Sequence, residues 1–531
     1  MITELATTMI KMPSIDYLAI LPVLILIGGA VLIMAITAMV PGGLRRDVAT
    51  AMTVTTALAA LISSLVEWHR VLVQGATTTI AHAIVMDGFS VFMAIAVSSC
   101  VILASLIGHD YLKREDISSA EYLILALISA AGAVLMASAN DLVVIFLALE
   151  ILSIALYVLV AFNPRRAESG EAALKYFILG GFSSAVFVYG IALTYGATGT
   201  TNLTQIVDFL GQNTAQHPGL LYAGLGLMIV GFAFKVAAVP FHFWTPDVYQ
   251  GAPSPVTGFM AAVAKIGGFA ALLRVLLSAF GTQAATWQPI IYALAVASLL
   301  LGALLMVVQR DVKRMMAYSS INHAGFILLG VEAATTRGVQ AALYYLFAYA
   351  IMTVGVFGVI TLVSGNGDRD TDIASYRGLL RRSPLLGACL VVLLLAQAGA
   401  PFTTGLFAKL GVLSAAVSVG SWPLALIAMV SAVISGFAYL RLTLISVRPV
   451  GAPTDVDELG VETGVSAPMH HLGATLMLEE ELPTEVEIAH VGVSPVALTG
   501  VTLAAAFTII FGIVPGPLLS LAHAATMSLL G

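Results

Sequence analysis

The chain has 531 residues, 59% of them hydrophobic and only 10% charged, with a net charge of −6 and a mean hydropathy of +1.00. Soluble domains carry about 25% charged residues, so this composition excludes a soluble globular enzyme and predicts an all-α polytopic membrane protein with the lipid bilayer, and no nucleic acid, as its surroundings. The two cysteines, Cys100 and Cys389, lie far apart in apolar spans and form no CxxC pair.

Apolar runs long enough to cross a bilayer of about 30 Å recur from end to end. Taken in order, about fourteen spans are expected, over 17–40, 48–66, 88–108, 119–138, 141–162, 171–196, 218–238, 254–280, 289–309, 318–332, 338–363, an interrupted 384–410, 422–446 and 495–514. The first run, preceded by Lys11, is too long for a signal-peptide core and is expected to stay attached. Arg45 and Arg46, Lys113 and Arg114, Arg165 and Arg166, Arg310 with Lys313 and Arg314, Arg377 with Arg381 and Arg382, and Arg448 all follow odd-numbered spans. By the positive-inside rule these loops are cytoplasmic and both termini lie on the outer face.

The stretch before the last span, 450–493, holds nine acids (Asp455, Asp457, Glu458, Glu462, Glu479, Glu480, Glu481, Glu485 and Glu487) and neither lysine nor arginine. Removing those nine acids from the net −6 leaves +3, so the acidity is local. It reads as a solvated cytoplasmic loop in which His470 and His471 are solvated rather than metal-bound. There is no P-loop and no dinucleotide fingerprint; Gly224 and Gly226 form a GxG inside a span, where it allows close helix approach. No nucleotide, flavin, iron–sulfur centre or metal is therefore expected in this chain.

The charges inside the spans carry the functional argument, because a charged side chain at bilayer depth costs at least about 2.5–3.5 kcal/mol. Lys235 and Lys265 flank a stretch broken by Pro240, Pro246, Pro253, Pro255 and Gly251. Irregular backbone at membrane depth survives only where it is buried in protein or lines a wet cavity. Glu150 lies midway along span five, and Lys235 is its expected partner. Lys409 lies beyond Pro401 in the interrupted span twelve, matching Lys235 in the first break. His323 in span ten is either a relay between the halves or a hydrogen-bonded core residue. Lys175, one turn into span six, either joins the path or snorkels beside Glu168 and Glu171. Asp141, Glu121 and Arg274 are expected at the interface.

Ala172–Tyr176 (AALKY) resembles 341–345 (AALYY), and Val239-Pro240-Phe241 resembles Ala400-Pro401-Phe402, at offsets of 169 and 161 residues. Copies five spans apart cross the membrane in opposite senses, the inverted-repeat plan of secondary transporters. The expected organisation is 1–115 (helices 1–3), 116–285 (first five-helix repeat), 286–446 (second, inverted repeat), 447–493 (acidic loop) and 494–531 (helix 14 and tail), with one broken helix in each repeat. Desolvation disfavours a lysine's charged form and a neighbouring carboxylate favours it. Moving Glu150 away from Lys235 would then push a proton toward Lys265. A fixed metal-ion site would need several oxygen ligands, which the spans do not supply.

The stretches 234–265 (FKVAAVPFHFWTPDVYQGAPSPVTGFMAAVAK) and 311–326 (DVKRMMAYSSINHAGF), with the span around Glu150, resemble the antiporter-like proton-pumping subunits of respiratory complex I. The resemblance covers about 90 to 445. It implies that Glu150 and Lys235 are the charge-modulating pair, Lys265 the central relay, His323 a bridge, Lys409 the second-half lysine from which protons exit, and Lys175 an auxiliary group. It further implies that NADH, FMN, iron–sulfur clusters and quinone belong to partner subunits. Neighbouring antiporter-like chains and small membrane subunits would be the partners, and the cell inner membrane the location. The acidic loop departs from the family pattern. A subunit of a multisubunit cation/proton antiporter shares the same helix plan and lysines; a solute transporter would instead need a midplane substrate pocket.

Overall fold

The computed structural model describes residues 15–117, 119–212, 218–448 and 494–530. The acidic loop with His470 and His471, and Lys11, lie outside the described residues. The first group of helices is α1 (Leu21–Met39), α2 (Gly42–Gln74), α3 (Gly88–Arg114), α4 (Ser119–Ser138), α5 (Leu142–Val160) and α6 (Ala167–Thr198). Then come α7 (Leu203–Gln212), α8 (Pro218–Val236), α9 (Trp244–Gly251), α10 (Ser254–Leu273, continued by a π-helical turn to Ala279), α11 (Ala284–Val307), α12 (Val312–Glu332) and α13 (Thr336–Val363). The series closes with α14 (Leu379–Arg382), α15 (Pro384–Ala398), α16 (Thr404–Ser418), α17 (Trp422–Val447), α18 (Pro495–Ile513) and α19 (Gly516–Leu530). A short hairpin, Thr77–Thr79 paired with Ile84–Met86, links α2 to α3.

Among the described residues twelve helices are long and apolar enough to cross a membrane, and the chain is an all-α multi-pass membrane protein. The broken pair α15/α16 and the more polar α12 complete the fourteen expected spans. Carboxylates and hydroxyls start several helices by accepting from free N–H groups. Asp141 accepts from Val143 N at 2.8 Å, Asp311 from Arg314 N at 2.8 Å, and Asp87 forms a capping box with Ser90. Asp141 is thus a helix cap, which explains an acid at a span's end.

The polar helix α12 lies almost wholly inside the protein, along with α10 and α13. By contrast α1, α2, α6, α17 and α18 turn apolar side chains such as Leu32, Val66, Phe182 and Val433 outward. A bundle in lipid gains little from burying leucine, so its centre holds the small and polar residues that helices share. Glycines give the close approaches. A Cβ at Gly224 would meet Thr194 Oγ1 at 2.7 Å and the Gly190 carbonyl at 2.9 Å, whereas Gly226 has open space. Only the first glycine of the GxG therefore acts as a packing residue.

The basic loops collect at one end of the bundle, here called the basic face. Arg114, Arg166 and Lys313 all reach Asp368, at 3.9, 3.3 and 3.3 Å, and Arg46 reaches Asp116 at 3.7 Å. Lys313 is fully buried, which is why α12 begins at Val312, well before the apolar run that starts at 318. At the opposite face Arg274 is not interfacial as expected. It is 3% exposed and holds Asp87 bidentately, both bonds 2.9 Å, while donating to the Ala137 carbonyl at 2.8 Å. A planar guanidinium satisfies both carboxylate oxygens and a carbonyl at once, which allows its burial here.

Four helices, α7, α9, α14 and α19, lie outside the expected spans. Amphipathic α7 follows the Gly199 turn (φ 75°). Helix α19 follows Pro515 and packs on α3 and α13, where Gly88 N donates to Ser528 Oγ at 2.8 Å and Gln340 Nε2 to the Leu519 carbonyl at 3.1 Å. Its signal was present as the Pro-Gly-Pro break at 515–517, but the run is too short to read as a span.

Candidate functional site

Two helix breaks position the site, and their backbones match. Helix α8 ends on Ala237 in the left-handed region (φ 61°), with Ala238 N donating to the Ala233 carbonyl at 2.8 Å. Helix α15 ends on Gly399 (φ 95°), with Ala400 N donating to the Leu395 carbonyl at 2.9 Å. Each is the six-to-one closure of a helix C-terminus that leaves carbonyls free at membrane depth. Lys235 lies in the last turn before the first break. Lys409 lies in α16, just past the second, and donates to the freed Ala398 carbonyl at 2.8 Å.

In the first half, α5 carries Glu150 and Ser153 one turn apart. Lys235 Nζ donates to Ser153 Oγ at 2.8 Å and to Tyr176 Oη at 3.4 Å, while Glu150 Oε1 accepts from Ser184 Oγ at 2.5 Å. The acid and the lysine therefore meet through serines rather than as a direct ion pair. A cavity of about 10 Å³, room for about one water, is lined by Lys235, its partner Ser153, Ser183 and the Glu150 partner Ser184. Glu150 is half-buried, whereas Lys235 is 3% exposed.

The line continues through aromatic and hydroxyl side chains. Tyr176 stacks on Trp244, their ring centroids 4.6 Å apart, and Trp244 leads to Tyr249. Tyr249 Oη and Tyr349 Oη both bond Ser320 Oγ, at 3.2 and 2.9 Å. Lys265, 2% exposed, donates to the Ser320 carbonyl and lies 5.0 Å over the Tyr349 ring. One turn along α12, His323 Nδ1 bonds Tyr345 Oη at 2.7 Å and Nε2 bonds Tyr439 Oη at 2.9 Å. Tyr439 also shares a 2.5 Å bond with Ser319, which donates to Gln397 Oε1 at 3.4 Å. Phe326 then separates this network from Lys409, stacking on Tyr345 and lying 5.1 Å from the Lys409 ammonium.

Lys235, Lys265, His323 and Lys409 thus share one buried line through the centre of the bundle. Lys175 is off it. Its side chain is 44% exposed and pairs with Glu171 at 2.7 Å and Asp247 at 3.0 Å. It stands at the mouth of a charged cavity of about 980 Å³ on the basic face, lined also by Glu115, Arg165, Arg166 and Arg369. Burial pushes the Asp247 carboxyl up, but Arg314 at 2.8 Å and Lys175 outweigh it and hold the group below the usual carboxylate range. The sequence reading missed Ser153, Tyr176, Tyr249, Tyr349, Tyr345, Tyr439 and Gln397. One signal existed for Tyr345 and Tyr349, which are four residues apart on one helical face.

Tyr439→Phe tests how far this network is shared. It removes one buried partner from each of Ser319 and His323, which keep Gln397 and Tyr345, so a stability loss of about 1–3 kcal/mol is expected. Thermal unfolding in detergent measures it; an unchanged melting temperature would show the hydroxyl to be dispensable.

No group of three His, Cys, Asp or Glu side chains gathers among the described residues. What the line can do chemically is hold and pass protons among its N–H- and O–H-bearing groups, with Phe326 standing between them and Lys409.

The family described as NADH:quinone oxidoreductase/Mrp antiporter, TM, matches residues 139–435. NADH-quinone oxidoreductase subunit N of Saccharopolyspora erythraea is 38% identical over 82% of this chain and 89% of the relative. The protein of the same name from Thermobifida fusca is 36% identical over 95% of this chain and 97% of the relative. A chain of respiratory complex I from Thermus thermophilus with bound aureothin superposes with a TM-score of 0.73 at 30% identity, covering 94% of this chain and 98% of that one. A chain of the Mrp complex from Dietzia shares the fold, with a TM-score of 0.79 at 19% identity over 97% of this chain and 99% of the other.

Proposed function

Because the chain belongs to the NADH:quinone oxidoreductase/Mrp antiporter family, alongside NADH-quinone oxidoreductase subunit N, we propose that it moves protons across the membrane within the membrane arm of an NADH:quinone oxidoreductase. The observation that carries this is the buried line itself: three lysines and a histidine, each at most 6% exposed, set among hydroxyl and aromatic side chains around two helix breaks. An ammonium donating only to neutral oxygens in a low-dielectric interior holds a charge at a cost, and a line of such groups suits transient protonation.

In this reading Glu150 modulates Lys235 through Ser184 and the water-sized cavity, since the Coulomb term acts across a few ångströms without contact. Loss of the Lys235 proton toward Lys265 follows the Tyr176, Trp244, Tyr249 and Ser320 side, with water joining the gaps. His323, between Tyr345 and Tyr439, carries the proton into the second half, and Lys409 receives it there. Lys175 acts at the cavity mouth, drawing protons from the basic face. The two breaks with matching closures support the inverted-repeat plan over 116–285 and 286–446. The basic face is cytoplasmic and the membrane is the cell's inner one. NADH, FMN, iron–sulfur clusters and quinone are held by partner subunits, which include neighbouring antiporter-like chains and small membrane subunits.

Gentle solubilisation and purification through a tag on this chain tests the reading. The expected result is an assembly that oxidises NADH and reduces quinone. A chain that purifies without such partners and exchanges sodium for protons would instead be an antiporter subunit.

A further inference from the structure

We propose that Gln397 is a positioning residue for His323; the proposal rests on the proton-moving reading above. Through Ser319 and Tyr439, its side-chain amide sets which ring nitrogen of His323 carries the proton, and so from which side the histidine takes one up. Gln397 lies in the last turn of α15, two residues before the break at Gly399, and is wholly buried. Its Oε1 accepts from Ser319 Oγ at 3.4 Å, while Nε2 is buried without a partner. Lys235 stands two residues before Ala237 in the first break, so the two side chains hold matching places, 162 residues apart. Each meets a serine, Ser153 on α5 and Ser319 on α12. An ammonium only donates, whereas an amide carries an acceptor and two donor hydrogens on one planar group. The second break therefore holds a group that can serve its serine in either sense.

The links from Gln397 to His323 have one hydrogen each. Ser319 spends its O–H on Gln397 Oε1, so the 2.5 Å bond between Ser319 and Tyr439 takes its hydrogen from Tyr439. Tyr439 Oη then accepts from His323 at 2.9 Å, which puts the ring proton on Nε2. A neutral imidazole bears one N–H. Nδ1 is thus the bare nitrogen and accepts from Tyr345 Oη at 2.7 Å. Turning the amide over brings Gln397 Nε2 to Ser319 and reverses every link. Ser319 then donates to Tyr439, Tyr439 to His323 Nε2, and His323 Nδ1 to Tyr345. Both orientations leave one amide atom without a partner, and the turn breaks only the 3.4 Å contact, the longest of the chain and hence its weakest. The Ala398 carbonyl, next to Gln397, is the one that holds Lys409.

With the amide as it stands, His323 takes a proton at Nδ1, on the Tyr345 side. Turned over, it takes one at Nε2, on the Tyr439 side. The two tautomers interconvert through the imidazolium. A proton of the line adds at the bare nitrogen, forming one N–H, and the opposite N–H breaks to return a proton, so atoms and charge balance with that proton as the only reactant.

Carbon and nitrogen NMR of the full chain, labelled at histidine and held in lipid bilayers, reads the tautomer; the His323 signal is the one lost in His323→Gln. The unaltered chain should show mainly Nε2–H, and a main Nδ1–H form overturns the proposal. Gln397→Met keeps the length but loses both amide atoms, so the ratio of Nδ1–H to Nε2–H should rise about fivefold, the scale of one net hydrogen bond. An unchanged ratio overturns the proposal, because packing alone does not move a tautomer. Should Gln397→Met fail to fold, Ser319→Ala cuts the chain one link further on and must give the same rise. In vesicles of the whole complex, Gln397→Met should lower NADH-driven acidification several-fold with reduction of a soluble acceptor unchanged. Normal acidification there with loss in Lys409→Ala overturns the positioning role and leaves the proton-moving reading standing. Normal acidification in both variants overturns the reading and the role together.

Discussion

Lys235→Ala is expected to lower proton movement through this chain by about a hundredfold or more, the scale on which proton-transfer groups act. NADH oxidation by a soluble acceptor should be untouched. The substitution removes the ammonium that reaches both Ser153 and Tyr176, and with it the link between Glu150 and the rest of the line. Lys235→Met, which keeps the volume without the proton, separates loss of packing from loss of chemistry and should behave as the alanine does. Glu150→Gln is expected to act in the same direction but more weakly, because the carboxylate reaches Lys235 across Ser184 and a water-sized space rather than by contact. Acidification of vesicles per NADH oxidised measures all three. Wild-type ratios in Lys235→Ala and Lys235→Met would remove Lys235 from the path.

The largest stability effect is expected at Asp368, outside the membrane spans. Its carboxylate is buried against Lys313, Arg166 and Arg114, and it accepts from Ser254 N at 2.7 Å, Ser254 Oγ at 2.8 Å and Ser364 Oγ at 2.6 Å. It thereby ties α3, α6, α10, α12 and α13 together at the basic face. Asp368→Asn leaves Lys313, which is fully buried, without its counter-ion. Removing one partner of a buried ion pair costs about 3–5 kcal/mol, so assembly should fall and the melting temperature drop. Burial pushes the Asp368 carboxyl up, but Lys313, Ser364 and Arg166 outweigh it and hold it below its ordinary range. A depressed carboxylate stabilises the fold fully above its unfolded pKa near 3.9 and loses that contribution as the pH falls through the lower folded value. The gap in melting temperature between the wild type and Asp368→Asn should therefore be constant at neutral pH and close below about pH 4. A gap that persists in acid would mean that the asparagine acts through geometry alone.

The sequence carried the membrane class, the long apolar crossings and the buried ionisable groups, because each depends on local composition. A run of about twenty apolar residues must cross a bilayer whatever its neighbours do, and an ionisable side chain inside one is conspicuous by itself. Prolines marked both breaks for the same reason, since they act on their own backbone. The burial of Arg274 was not legible, because its partner Asp87 is 187 positions away and nothing local distinguishes a buried guanidinium from a snorkelling one. Lys175 shows the converse: its sequence setting beside Glu168 and Glu171 left it between the path and snorkelling, and the fold turns it to a charged cavity and to Asp247.

By itself, then, the sequence determined which residues had to be placed at membrane depth, since the free energy of moving a side chain into hydrocarbon is a property of that side chain. Only the tertiary structure decided which of them share a line. The hydroxyls of Ser153, Tyr176, Ser320, Tyr349 and Tyr439 come from different helices and gain their role from contacts 29 to 120 residues apart. Such contacts depend on how ridges and glycine gaps let the helices meet, which no local stretch of sequence specifies.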